Sequence, residues 1–241
     1  MDAYIGESSP GKAGEVRVRA AHAVIIYGKS YEQTQYASVH EITEAKGKLR
    51  LGAGAPLTDA FAVSFLRSIG EDLKVEFLPG RVLYRTHDRT VWWSPPRRES
   101  MRFRTGSELE PVSGKPVALP GLVWRLSSQH LSVRAVAGAD RPTPTTPLCV
   151  APLWNTAPAD GVVCEGSMPR PRGRGPGAIE DWEDAFFGSE FTHQAGAGSL
   201  CSGGAYPALV KRLAADQCDF PGDALVGAGI TLGAFASEGA R

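Results

Sequence analysis

The sequence predicts an α+β fold in which an antiparallel meander packs on helices. Short alternating or apolar runs follow one another from Val75 to Ala137, with turn residues between them. One helical apolar stripe precedes this run, and two more follow it. Neither a G-x-x-x-x-G-K-[ST] loop nor a G-x-G-x-x-G turn after a strand is present, which argues against a kinase or a dinucleotide enzyme.

Residues 1–14 are polar and rich in Gly and Pro, and are expected to be loose. Val16, Val18, Ala20 and then Val24–Tyr27 read as one or two strands, with Tyr36–Thr43 as a partner. Gly47 and the LGAG at 51–54 are expected to break that pattern. Residues 57–69 predict a helix: Thr58 can cap its start, Gly70 follows its end, and Leu57, Phe61, Phe65 and Ile69 share one face.

Val75–Leu78, Val82–Arg85 and Arg89–Ser94 predict strands, the last two joined by a turn at Thr86–Arg89. The chain must leave the sheet at Pro95, because proline cannot donate to a ladder. Ser100–Arg104, Gly121–Leu126 and His130–Ala137 continue the meander, with a turn at Ser127–Gln129. Trp92, Trp93 and Trp124 are expected in the core, where their N–H groups need partners. Residues 138–161 read as largely irregular, and PRPRGRGPG at 169–177 as a basic loop. Ile179–Phe187 predicts a helix with acidic residues at its positive end. Tyr206–Gln217 predicts another, with Pro207 near its start. The expected organisation is a single domain over 15–220 with its core at about 56–195, extra N-terminal strands, and a tail from 221 to 241.

Composition narrows the function. The 26 basic and 26 acidic residues cancel, which argues against nucleic-acid binding. Apolar runs are too short for a bilayer, and the first residues carry no apolar signal segment. A cytoplasmic protein with reduced thiols is expected. The cysteines at 149, 164, 201 and 218 show no zinc-ligand spacing, so neither metal nor cofactor is expected.

Cys164 stands apart from the other three. It follows an Asp160-Gly161 turn and the half-strand Val162-Val163, in a stretch punctuated by Pro152, Pro158, Gly166 and Pro169. A fixed thiol on a loop suits acyl transfer through a thioester, and an amide donor nearby, such as Asn155, can stabilise the oxyanion. His193 is a candidate base or a helix-end residue.

The order of helix, meander, proline-rich loop, cysteine after a DG turn and further helices resembles the ubiquitin-conjugating enzyme fold. Those enzymes carry a pattern close to H-P-N-x-x-x-D-G-x-[IV]-C. LWNTAPADGVVC at 153–164 matches it in Asn155, Asp160, Gly161, Val163 and Cys164, with Leu153-Trp154 in place of His-Pro and the asparagine one residue farther away. A closer resemblance spans about 80–195, through VWWSPP at 91–96, LVWR at 122–125, LSVRAVAGADRP at 131–142, PLWN at 152–155, GVVCEGSMP at 161–169 and WEDAFFGSEFTH at 182–193. Together these are similar to the PRTRC system protein B family, which is classed with prokaryotic ubiquitin-conjugating-like proteins.

The resemblance implies a carrier of a small ubiquitin-like protein. It would be charged on Cys164 by a ThiF-like adenylating enzyme, with Asn155 as oxyanion donor, and would work beside other proteins of a plasmid-borne PRTRC cassette. The same resemblance admits an inactive adaptor. Arg170, Arg172 and Arg174 are candidates for docking an acidic partner.

Overall fold

The computed structural model describes residues 20–29, 34–45, 48–68, 78–86, 88–127, 130–166, 168–173 and 175–237. They fall into two compact units, one up to residue 68 and one from residue 78.

In the first unit β1 (His22–Gly28), β2 (Thr34–Ala45) and β3 (Lys48–Pro56) form an antiparallel sheet in that order, followed by α1 (Asp59–Ser68). The expected N-terminal strands are therefore present; Val16 and Val18 lie outside the described residues. The expected break at 51–54 is corrected, because β3 runs through it. Gly54 makes room for a side chain of β2: a Cβ there would stand 2.6 Å from His40 Cε1, and the His40 ring bonds the Gly52 carbonyl through Nδ1 at 3.0 Å. α1 begins as predicted, with the Phe61 amide donating to Thr58 Oγ1 at 3.2 Å. Its expected stop at Gly70 lies outside the described residues, as does most of the strand expected at Val75–Leu78.

The second unit is built on a six-stranded sheet. Its strands are β4 (Val82–Arg85), β5 (Thr90–Ser94), β9 (Gly121–Leu126), β10 (Leu131–Val136), β11 (Pro147–Val150) and β13 (Gly227–Thr231), running β13-β11-β10-β9-β5-β4. The β4–β5 turn closes through the Thr86 amide on the Arg89 carbonyl at 2.9 Å. The β9–β10 turn closes through Ser127 on His130 at 3.0 Å. The expected strand Ser100–Arg104 is two short pieces, β6 (Arg97–Ser100) paired with β8 (Pro116–Leu119), and β7 (Arg102–Phe103) paired in parallel with β12 (Glu190–Phe191).

α2 (Ile179–Phe187) packs on one face of the sheet, and α3 (Tyr206–Asp216) joins the same buried cluster beside β8. Trp92, Trp124, Trp182, Phe186 and Phe191 are fully buried there. Charge is satisfied within this layer by Glu183, only 3% exposed. Its Oε1 accepts from Arg81 Nη1 at 2.8 Å, Trp92 Nε1 at 2.7 Å and Ser94 Oγ at 2.8 Å, and its Oε2 from Arg97 Nη1 at 2.6 Å. Trp124 Nε1 in turn donates to Ser94 Oγ at 2.9 Å. The expected partners of Trp92 and Trp124 are thus found; the buried Trp93 Nε1 has none.

The opposite face carries Val91, Val123, Val136 and Leu148, and is covered by α4 (Leu232–Ser237) through Leu232, Phe235 and Ala236. Arg125 Nη1 donates to the Phe235 carbonyl at 2.7 Å and Arg89 Nη1 to that of Ala236 at 2.8 Å, the cationic partners a helix C-terminus favours. The stretch 138–161 is largely irregular as expected, with β11 its one strand among the described residues. One expectation is corrected here: the segment after 220 is not a detached tail but supplies β13 and α4 to this unit. No helix among the described residues is long and apolar enough to cross a membrane.

Candidate functional site

The loop that carries Cys164 is closed by its own backbone. Thr156 bridges Val163, the Ala157 amide donates to Val162 O at 2.9 Å, and the Gly161 amide to Ala157 O at 2.8 Å. Asp160 folds the turn as expected, its Oδ1 accepting from the Val162 amide at 2.9 Å. Residues 161–163 then lie along the start of β10: Val133 N–H reaches Gly161 O at 2.8 Å, and Val163 N–H reaches Leu131 O at 2.9 Å. Cys164 follows immediately and is exposed.

Gly161 is required by this arrangement. Its φ is +76°, and a Cβ would meet the Val133 carbonyl oxygen at 2.5 Å. Gly161→Ala is expected to cost roughly 1–3 kcal/mol in strain alone, more if the backbone contact cannot relax. Denaturant unfolding read by tryptophan fluorescence measures it.

Asn155 joins three segments. It adopts φ +60°, a left-handed conformation that asparagine tolerates better than most residues. Its carbonyl accepts the Cys164 amide at 2.7 Å, and its amide donates to His193 O at 2.9 Å. Its side chain turns away to the 190–192 segment: Nδ2 donates to Glu190 O at 2.8 Å, and Oδ1 accepts from the Thr192 amide at 3.1 Å and Thr192 Oγ1 at 3.3 Å. The amide expected to serve an oxyanion is engaged in holding this loop, because the left-handed backbone aims the buried side chain at a neighbouring strand.

His193 is exposed, with Nδ1 2.8 Å from Thr192 Oγ1. The sequence thus brings Cys164, Asn155 and His193 together through the backbone. Leu153, in the position of the family histidine, is fully buried, and Trp154 packs edge-on against Phe103.

Of the three candidate arginines, Arg170 lies 3.5 Å from Glu165 and so stands near the cysteine, Arg172 is exposed, and Arg174 lies outside the described residues. Cys218 is also exposed. Burial pushes the half-buried Cys149 thiol and the buried Cys201 thiol above the usual range, which disfavours their thiolates. Burial likewise raises the Tyr206 phenol, with Cys201 adding to the effect. Among the described residues no cluster of His, Cys, Asp and Glu is placed to hold a metal ion.

One residue was not singled out from sequence. Arg134, 2% exposed, donates through Nη1 to Pro158 O at 2.8 Å and through Nη2 to Ala159 O at 2.7 Å. The available signal was a lone arginine within the apolar strand LSVRAV.

The chain matches the model of prokaryotic E2 family D over residues 62–228, from within α1 into β13. It belongs to that family. No curated protein and no solved structure matches it. The mixed α+β architecture, with an antiparallel sheet flanked by few helices, accords with an E2-like fold. The E2-like span thus includes the whole Cys164 loop, α2 and α3, and leaves β1–β3 outside it.

Proposed function

We propose that this E2-like protein carries a small ubiquitin-like protein as a thioester on Cys164, taking it from a ThiF-like adenylating enzyme and passing it to an amine. One observation carries the reading: Cys164 is exposed directly after an extended segment hydrogen-bonded to β10, with its own amide held by the Asn155 carbonyl. The Cys164 thiolate attacks the carbonyl of the donor thioester, a tetrahedral oxyanion forms, and the donor's thiol leaves. In the second half-reaction the amine attacks the new thioester, the Cys164 thiolate leaves and an amide forms. The amine's proton passes to a base, for which His193, whose backbone carbonyl accepts the Asn155 amide, is the candidate. Arg170 and Arg172 lend the stretch after Cys164 a basic character suited to an acidic partner. The protein acts in the cytoplasm beside the other proteins of a PRTRC cassette, and needs no cofactor of its own.

A second reading, an inactive adaptor that holds the ubiquitin-like protein without turnover, is favoured by the buried Leu153 with the partly buried Trp154 and by the engaged Asn155 amide. Cys164→Ser separates the two. With adenylating enzyme, modifier and ATP, the wild type is expected to form an adduct that a thiol reductant removes, and the serine variant none of that kind. A reductant-sensitive adduct that persists on the serine variant would remove Cys164 from the role. An uncharged wild type that still binds the modifier would favour the adaptor.

A further inference from the structure

We propose that Arg134 is a positioning residue for acyl transfer, holding the loop that delivers Cys164; this rests on the thioester reading above. All six residues of β10 are buried, and a charge placed there is costly unless it is paired or hydrogen-bonded. Arg134 meets that cost with the loop itself. Its two terminal nitrogens take the carbonyls of Pro158 and Ala159, at the tip of the 157–162 turn. The side chain also lies against Gly161, where a Cβ would come within 3.2 Å of Nε and 3.3 Å of Cδ.

The backbone of the same strand fixes the other end of the loop, through Val133 N–H on Gly161 O and Leu131 O on Val163 N–H. β10 therefore grips the loop twice, by side chain at the tip and by ladder at the stem, and Cys164 emerges from the stem. The planar fork suits two adjacent carbonyls. A lysine can present a point charge to only part of that pair, and a methionine fills the volume with no donor. Without the grip the thiol remains exposed but loses its fixed position. A displacement of about 1 Å at a reacting centre can cost about 100-fold in rate.

The test uses the full chain, a glycine-terminated peptide aryl thioester as acyl donor, and the variants Arg134→Met and Arg134→Lys. Acylation of Cys164 is followed by mass mapping, with the exposed Cys218 as an internal reference. Backbone exchange at Gly161, Val163 and Cys164 is compared with exchange at Trp92 and Val123.

The methionine variant is expected to acylate Cys164 on the order of 100-fold more slowly and to lose protection at the three loop amides, with Cys218 and the sheet amides unchanged. The lysine variant is expected to fall between it and the wild type. Three results would overturn the proposal. The methionine variant could react at the wild-type rate, its losses could be matched at Cys218 and across the sheet, or the wild type could acylate Cys164 no faster than Cys218. The probe needs no partner protein, so an Arg134 effect that survives in a chain never charged by an adenylating enzyme would sink the carrier reading and leave Arg134 as the loop's anchor.

Discussion

Glu183→Ala is expected to destabilise the second unit by about 3–5 kcal/mol, the range seen when one partner of a buried charge pair is removed. The carboxylate sits on α2 between Arg81 and Arg97 and also takes the Trp92 and Ser94 donors of β5. Alanine leaves two guanidinium groups, an indole N–H and a hydroxyl facing one vacated site, and each buried donor without an acceptor carries its own penalty. It also unfastens α2 from the sheet at the point where Trp92 and Trp124 stack, with ring centroids 6.0 Å apart. All five tryptophans lie in this unit, so fluorescence against denaturant reports its unfolding alone. Glu183→Gln keeps an oxygen acceptor and is expected to cost less than alanine. A change under about 1 kcal/mol for the alanine variant would contradict a central role for the carboxylate.

Asn155→Ala is expected to reduce charging of Cys164 by at least about 10-fold, through misplacement rather than through loss of a chemical group. The alanine removes the side-chain bonds to Glu190 and Thr192, and must hold φ +60° without asparagine's tolerance for it. Asn155→Gly separates these effects, since glycine adopts that backbone freely but lacks the amide. If the clamp matters, both variants are slow and exchange rises at Thr192 and Cys164. If only the backbone matters, glycine reacts as the wild type does. Single-turnover charging with the adenylating enzyme and modifier reads both cases.

Local chemistry made much of this architecture legible. Ile179–Phe187 forms the helix its acidic start and apolar stripe predict, and Val82–Arg85 and Gly121–Leu126 form strands with the expected bounds. The Asp160-Gly161 turn behind Cys164 was equally readable, because a glycine forced to positive φ and an Asx turn are local events. Elements decided by distant partners were not. β3 passes through Gly54 because His40 of another strand needs the room, and through Gly52, whose carbonyl that ring bonds. β11 and the glycine-rich β13 pair with each other across about 80 residues of chain, and neither carries a strong pattern of its own. The same limit applies at the site. Asn155 meets residues 190–193, and Arg134 meets residues 158–159; both contacts span stretches of chain over which residue spacing carries no signal.

The thiol that carries the acyl group can be located directly. The wild-type chain is incubated with adenylating enzyme, ubiquitin-like modifier and ATP, quenched in acid, digested, and the modifier's C-terminal remnant mapped by mass. Two cysteines are exposed, Cys164 and Cys218, so the result discriminates between a built site and incidental reactivity. The remnant is expected on Cys164 alone, labile to reductant. A remnant on Cys218, or on both thiols alike, would contradict the assignment.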